Sequence, residues 1–231
     1  VHYEGVKDKV ILMKVTSRGR PKKLIHCIQE YLRLAHNPTA MKWLITLDFD
    51  DETCNNLEFI NKIKSILPDA YISFGKSESK IHAINRDIEA YTTCNEWHIL
   101  LNISDDQRPV TQGYDLLIRN TMPNDLDASL WFYDGFQPRI NTQEIIGLNY
   151  YKRTNHVYDP RFKSFYCDNL STELAKKLGK LIKVDKCIIM HFHPACLPGQ
   201  VQNDALYDRN QQYWHEDKRT YERAIIELNG L

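Results

Sequence analysis

Four short apolar runs alternate with three amphipathic stretches over the first half of the chain, and this alternation restricts the fold more than any other feature. The runs are Lys9–Thr16, Trp43–Leu47, Tyr71–Phe74 and His98–Ile103. Each is rich in branched or aromatic residues and bounded by turn residues, as expected for strands buried on both faces. Between them, Leu24, Ile28, Tyr31, Leu32 and Ala35, then Leu57, Ile60, Ile63 and Leu67, then Ile81, Ile84, Ile88 and Tyr91 recur at helical spacing. Pro21 suits a first helical position, so the first helix is expected over Pro21–Ala35, where Asn37-Pro38 ends it; Pro68 stops the second. A β-α-β-α-β-α-β order predicts a mainly parallel sheet with right-handed crossovers.

After Pro109 the alternation stops. Tyr114–Asn120 suits a helix and Ala128–Tyr133 a strand, whereas Gly135–Phe165 carries many aromatic and turn residues without a regular period. Leu170, Leu174, Leu178 and Leu181 mark a further helix, and Lys186–Met190 a last strand. The run Lys176, Lys177, Lys180, Lys183 and Lys186 reads as a solvated face. The tail from Asp204 is polar and helical, with Trp214, Tyr221 and Ile225 as docking contacts. At 231 residues the chain suits one domain with a substantial core.

Thirty basic and thirty acidic residues cancel, which argues against a surface built throughout to hold nucleic acid. No apolar run approaches the roughly 18–20 residues needed to span a bilayer, and the N-terminus does not read as a signal peptide. Six cysteines at 27, 54, 94, 167, 187 and 196 form no CxxC pair, and several lie in apolar segments. Reduced core thiols and a cytoplasmic location are the expectation.

The chemistry gathers where the apolar runs end. The fourth runs into Asp105 and Asp106, the second into Asp48, Asp50 and Asp51, the first into Thr16 and Arg18, and Lys76 and Lys80 follow the third. Open α/β sheets bind ligands at that edge. Two adjacent carboxylates repel each other and call for a positive partner, most simply a divalent cation, although Asp-Asp is also an ordinary turn. The first turn, SRGRP, holds one glycine, so it matches neither G-x-G-x-x-G nor a Walker A loop. Carboxylates mixed with a few cations suit a nucleoside diphosphate and a metal.

The SRGRP turn, the acids of LDFDDE, the SKIHAINRDI helix and above all NISDDQRP, in this order over residues 9–215, resemble a family 2-type glycosyltransferase with the GT-A fold. The ending HFHPA…DALYDRNQQYWHEDKRTYERA is similar to the tail of a bacterial and phage subgroup. The resemblance implies a Rossmann-like, mainly parallel sheet flanked by helices. It divides the single domain into a nucleotide-sugar-binding half (1–109), an acceptor-side catalytic half (110–203) and a helical tail (204–231). It further implies that Thr16, Arg18, Asp48 and Asp50 cradle the nucleoside, that Lys80, and also Asn85, sit where the donor approaches, and that Asp105 faces the ribose or sugar. Asp106 would bind Mn²⁺ or Mg²⁺ with the diphosphate. Asn102 and Ser104 stand where many relatives carry further aspartates, which leaves the ligand count open.

By the same resemblance Asp168, in FYCDNLST, holds the position of the general base of an inverting transfer; the alternative reading is a helix N-cap. His191 and His193 alternate on an extended segment and would share a face, so either could join the metal, with His191 nearer the strand end. The implied activity is metal-dependent transfer of a sugar, hexosyl or pentosyl, from a nucleotide sugar (a UDP-sugar foremost) to a hydroxyl. The acceptor would be a surface polysaccharide, a lipid-linked glycan or a hydroxylated base in phage DNA. A nucleotidyltransferase, or a nucleotide- or sugar-binding module without turnover, are the alternatives. Retention in place of inversion, and the oligomeric state, stay open.

Overall fold

The computed structural model describes residues 9–230, so the N-terminal stretch read above as no signal peptide lies outside the described residues. The first half runs β1 (Ile11–Thr16), α1 (Pro21–Leu34), β2 (Met41–Asp48), α2 (Leu57–Ile66), β3 (Tyr71–Gly75), α3 (Lys80–Asn85), α4 (Ile88–Cys94) and β4 (Ile99–Ser104). The second half adds β5 (Gln107–Pro109), α5 (Tyr114–Thr121), β6 (Ser129–Phe132), β7 (Ile145–Gly147), α6 (Leu148–Thr154), α7 (Cys167–Lys177), β8 (Leu181–Val184), β9 (Ile189–His191), α8 (Ala205–Gln211) and α9 (Trp214–Gly230).

The main sheet has seven strands in the order β3-β2-β1-β4-β7-β6-β8. β1 lies between β2 and β4, parallel to both, with Thr16 in register with Thr46 and Ser104. β7 is antiparallel to β4 and β6, and β8 is parallel to β6. Alternate strand residues feed two cores. Ile11, Met13, Val15, Ile45 and Ile103 pack with Leu24, Ile28 and Tyr31 of α1. Leu12, Leu44 and Leu100 pack on the other face with Ile81, Ile88, Tyr151, Leu170, Ala224 and Leu228.

The expected single helix through Ile81, Ile84, Ile88 and Tyr91 is broken. Asp87 adopts φ +74° between α3 and α4. The break has a cause on the sheet: Lys14 is fully buried on this face, and its ammonium donates to the Thr46 hydroxyl and to the Arg86 carbonyl, the latter at 3.0 Å. Thr46 in turn donates to Asp87 at 2.8 Å. The apolar spacing continues across the break because both halves cover the same core, so it could not reveal a polar demand from β1.

The expected helix through Leu181 also ends early. α7 stops at Lys177, Gly179 takes φ +64°, and Leu181 opens β8 opposite Ser129. Of the lysine run, Lys180 pairs with Asp127 at 2.7 Å and Lys183 lies 3.9 Å above the Trp131 ring. The unpatterned Gly135–Phe165 segment contains β7 and α6, which meet at Gly147. A Cβ there would stand 2.1 Å from the Leu126 carbonyl oxygen, so only glycine fits. A separate two-stranded ladder pairs β5 with β9, placing Gln107 opposite His191.

Candidate active site

The carboxyl ends of β1, β2 and β4 open into a cleft of about 680 Å³, walled opposite by the start of α7 and by α8. Thr16, Arg18, Asp48, Lys80, Asp105, Asp106, Asp168, His191 and His193 all line it. Asp50 does not. Its exposed carboxylate is gripped by both Arg18 nitrogens at 2.6 and 2.9 Å, which holds it out in the turn after β2. Arg18 also reaches Asp48 Oδ2 at 2.8 Å, while Asp48 Oδ1 is buried without a hydrogen bond, 3.6 Å from Arg86. Asn85 is not at the cleft; its amide bonds Tyr158 O, Val157 N and Tyr158 N, tying α3 to the loop after α6.

The turn after β1 matters more than its lone glycine suggests. Ser17 donates to Asp105 Oδ2 at 2.6 Å and Arg20 to Oδ1 at 2.9 Å, so both oxygens of this buried carboxylate already have donors. Burial, then the neighbouring Asp106 charge, push the Asp105 carboxyl up, against the pull of Arg20 and Ser17. Asp51 caps the turn from the far side, accepting from Gly19 N at 2.7 Å. Residues of SRGRP therefore align one member of the Asp pair.

Asp106 has a different environment. Burial alone would raise it, but His191, Lys80 and the Tyr207 hydroxyl prevail and hold it well below the usual carboxylate range. Tyr207 donates to Oδ2 at 2.8 Å. Oδ1 is buried without a hydrogen-bond donor, and His191 Nε2 lies 3.4 Å away. Two ligand atoms on adjacent corners of a Mg²⁺ octahedron stand about 3 Å apart, so this pair fits one edge of a divalent site. His193 stands beside His191 with ring centres 5.2 Å apart, and burial with the neighbouring His191 pushes it down to about 4, which keeps its imidazole neutral. Among the described residues no group of three or more His, Cys, Asp or Glu side chains is arranged as a metal cluster. The donor set thus offers Asp106 with His191, and His193 next to them, rather than a closed cage.

Asp168 is the second residue of α7 and follows Tyr166, whose φ of +59° turns the chain into the helix. It does not cap the helix by the expected Asp N-cap bond; one oxygen accepts only from Asn169 N at 2.9 Å. Burial raises its pKa, opposed by that amide, by Lys80 and by His191. Behind it, fully buried Glu144 accepts from Ser171 and, at 3.2 Å, from Ser129; desolvation pushes it up to about 7.

Three contributors were not recognisable from the sequence. Arg20 bridges Asp105 and Asp204 and lies 4.1 Å over the Tyr207 ring, fixing α8 against the cleft. Tyr207 reaches the Asp pair from a hundred residues away. Asp217 of α9, fully buried, accepts from the backbone N–H groups of Lys163, Ser164 and Phe165 at 2.8–2.9 Å and so anchors the loop leading to Asp168.

No family model matches the chain, and no curated protein matches it in sequence. Solved structures do match it. S. aureus TarS 1–349 superposes with a TM-score of 0.55 at 13% identity over 80% of this chain and 61% of that one. The same protein in complex with UDP-GlcNAc gives 0.58 at 12% over 86% and 60%. The mannosyltransferase PcManGT from Pyrobaculum calidifontis, in complex with GDP-Man and Mn²⁺, gives 0.60 at 7% over 83% and 58%. The chain spans about three fifths of the length of these proteins. Its fold is GT-A: a mostly parallel seven-stranded sheet flanked by helices. No helix among the described residues is long and apolar enough to cross a membrane.

Proposed function

We propose that this chain is a family 2-type glycosyltransferase, akin to the bacterial and phage subgroup, that moves a sugar from a nucleotide sugar to a hydroxyl acceptor with inversion at the anomeric carbon. The observation that carries the reading is one cleft holding two unlike carboxylates. Asp106 is kept ionised beside His191 with a bare oxygen, and Asp168 is held with a raised pKa and a single amide partner. The company of the fold supports it, since its structural neighbours include a mannosyltransferase bound to GDP-Man and Mn²⁺.

Asp106 and His191 would hold Mn²⁺ or Mg²⁺, with His193 adjacent, and the ion would offset charge on the departing diphosphate. Thr16, Arg18 and Asp48 would border the nucleoside, and Asp105, through its remaining lone pairs, the ribose. Lys80 is exposed at the cleft and makes no ion pair among the described residues, which leaves its ammonium available to the diphosphate. Asp168 would take the acceptor's hydroxyl proton as that oxygen bonds to the anomeric carbon and the bond to the diphosphate breaks.

Thermal unfolding with UDP or GDP, with and without Mn²⁺, tests the reading. One diphosphate should stabilise the protein by about 2.7 kcal/mol at a hundredfold excess over its Kd. The stabilisation should require metal and vanish in Asp106→Ala. A protein indifferent to every nucleoside diphosphate would not be this enzyme.

A further inference from the structure

The wall of the cleft beside Asp168 differs in kind from the carboxylate end. Phe165 and Trp214 meet edge-on with ring centres 5.0 Å apart, and the Tyr166 ring lies 5.0 Å from Trp214, tilted by 56°. All three line the cleft. The wall is held firmly: Tyr166 stacks on Tyr221 at 5.7 Å, sits at the left-handed φ of +59°, and follows the loop whose amides are gathered by Asp217. Yet Trp214 is 38% exposed, whereas Trp43, Trp97 and Trp131 are 4%, 1% and 4% exposed. An aromatic cluster clamped by a buried carboxylate, lining a cleft and with its tryptophan still partly exposed, is a platform for a flat apolar surface.

The cleft lining also carries neutral amides, alongside the charged Asp208 and Arg209. Gln137, Asn169 and Gln211 line the same cleft, and the side-chain amides of Asn169 and Gln211 make no hydrogen bond among the described residues. Each offers both donor and acceptor, which matches hydroxyls that do both. Two of the three arginines that line the cleft are engaged, Arg18 with Asp48 and Asp50 and Arg20 with Asp105 and Asp204, while Arg209 of α8 makes no ion pair among the described residues. Nucleobases also stack on aromatic rings, but a nucleic acid demands a row of free cations along its phosphates, and beside Lys80, which the diphosphate would take, the lining offers Arg209 alone in a chain of zero net charge.

We infer that Phe165, Tyr166 and Trp214, with the amides of Gln137, Asn169 and Gln211, form the acceptor subsite for a neutral glycan, whose sugar ring packs on the Trp214 face with its hydroxyl at Asp168. This rests on the glycosyltransferase reading and names its acceptor class. The three buried tryptophans make the test selective, because acrylamide reaches Trp214 and little else. Quenching is measured on the full chain, with and without UDP and Mn²⁺, against neutral gluco-, manno-, galacto- and N-acetylglucosamine oligosaccharides and a single-stranded oligodeoxynucleotide.

At least one oligosaccharide should shield Trp214 while the oligonucleotide does not. In turnover, Trp214→Leu should raise the KM for that oligosaccharide up to about tenfold, with the donor KM unchanged. Gln211→Ala, on an exposed side chain, should do the same to a smaller degree and serves if the tryptophan variant does not fold. Shielding by the oligonucleotide alone overturns the inference. So does the absence of shielding by any oligosaccharide in a protein that UDP and Mn²⁺ stabilise. Shielding without any response to nucleotide would instead preserve the glycan subsite and remove the transferase reading.

Discussion

Burial displaces the carboxyls of Asp105, Glu144 and Asp168 upward, and the last two each make a distinct prediction. For Asp168 the consequence is kinetic. A base must be ionised to accept a proton, so turnover should fall as pH drops through a value above the ordinary carboxylate range. Asp168→Asn should lower kcat by about 10²–10⁴-fold while the diphosphate-dependent thermal shift persists. Steady-state rates beside melting curves separate the two. For Glu144 the consequence is stability. Its folded pKa of about 7 exceeds the unfolded value, so its contribution is full below the unfolded pKa and is lost as pH rises through 7. Glu144→Gln should therefore gain on the wild type between pH 4 and pH 8, by up to about 3 kcal/mol, in chemical denaturation at the two pH values. At this scale the sequence was informative about strand ends: Asp48, Asp105 and Asp106 terminate or follow local apolar runs and do line the cleft. Asp50 belongs to the same acidic string but points out, because Arg18 binds it bidentately. Nothing in the string itself distinguishes it from Asp48.

Among the elements, α9 turns out to be structural support for the loop before Asp168. Asp217 accepts three backbone N–H groups from inside the protein, and replacing it with alanine leaves those donors without a partner. Asp217→Ala should cost about 3 kcal/mol and reduce kcat more than it weakens nucleotide binding, whereas Asp217→Asn, which keeps an acceptor oxygen, should recover part of both. Denaturant titration and kinetics on the two variants check this. The strands β1 to β4 and helices α1 and α2 were legible because their signals are local and periodic. β5, β7 and β9 were poorly legible or missed, since each has three residues and is defined by its partner rather than by its own pattern. The split between α3 and α4 answers Lys14, more than sixty residues upstream.

For the molecule as a whole, the tail from residue 204 is part of the core and of the cleft at once. Ala224 and Leu228 are buried in the second core with Leu170 and Tyr151, while Tyr207 and Trp214 face the cleft. Ending the chain before Asp204 should lower the melting temperature, broaden the transition and abolish the nucleotide-dependent shift, in calorimetry with and without UDP and Mn²⁺. The tail's helical character was readable from its composition. Its return to the Asp pair was not, because Arg20 and Asp204 find each other only in three dimensions.

The small ladder between β5 and β9 has a consequence for how such a chain can change over generations. It sets the distance between Asp106 and His191 through main-chain bonds, with Gln107 opposite His191, Arg108 opposite Met190 and Pro109 opposite Ile189. Main-chain pairing is indifferent to most substitutions, so the flanking letters can drift freely while the two functional side chains keep their places. A single inserted residue inside either strand is another matter: it would slide His191 by one register step, about 3.3 Å, and turn it to the opposite face. The long connection between the strands could lengthen or shorten with far less effect. Lineages of this fold are then expected to tolerate wholesale replacement of residues and to reject one-residue frameshifts at two short places, a constraint written in spacing rather than in letters.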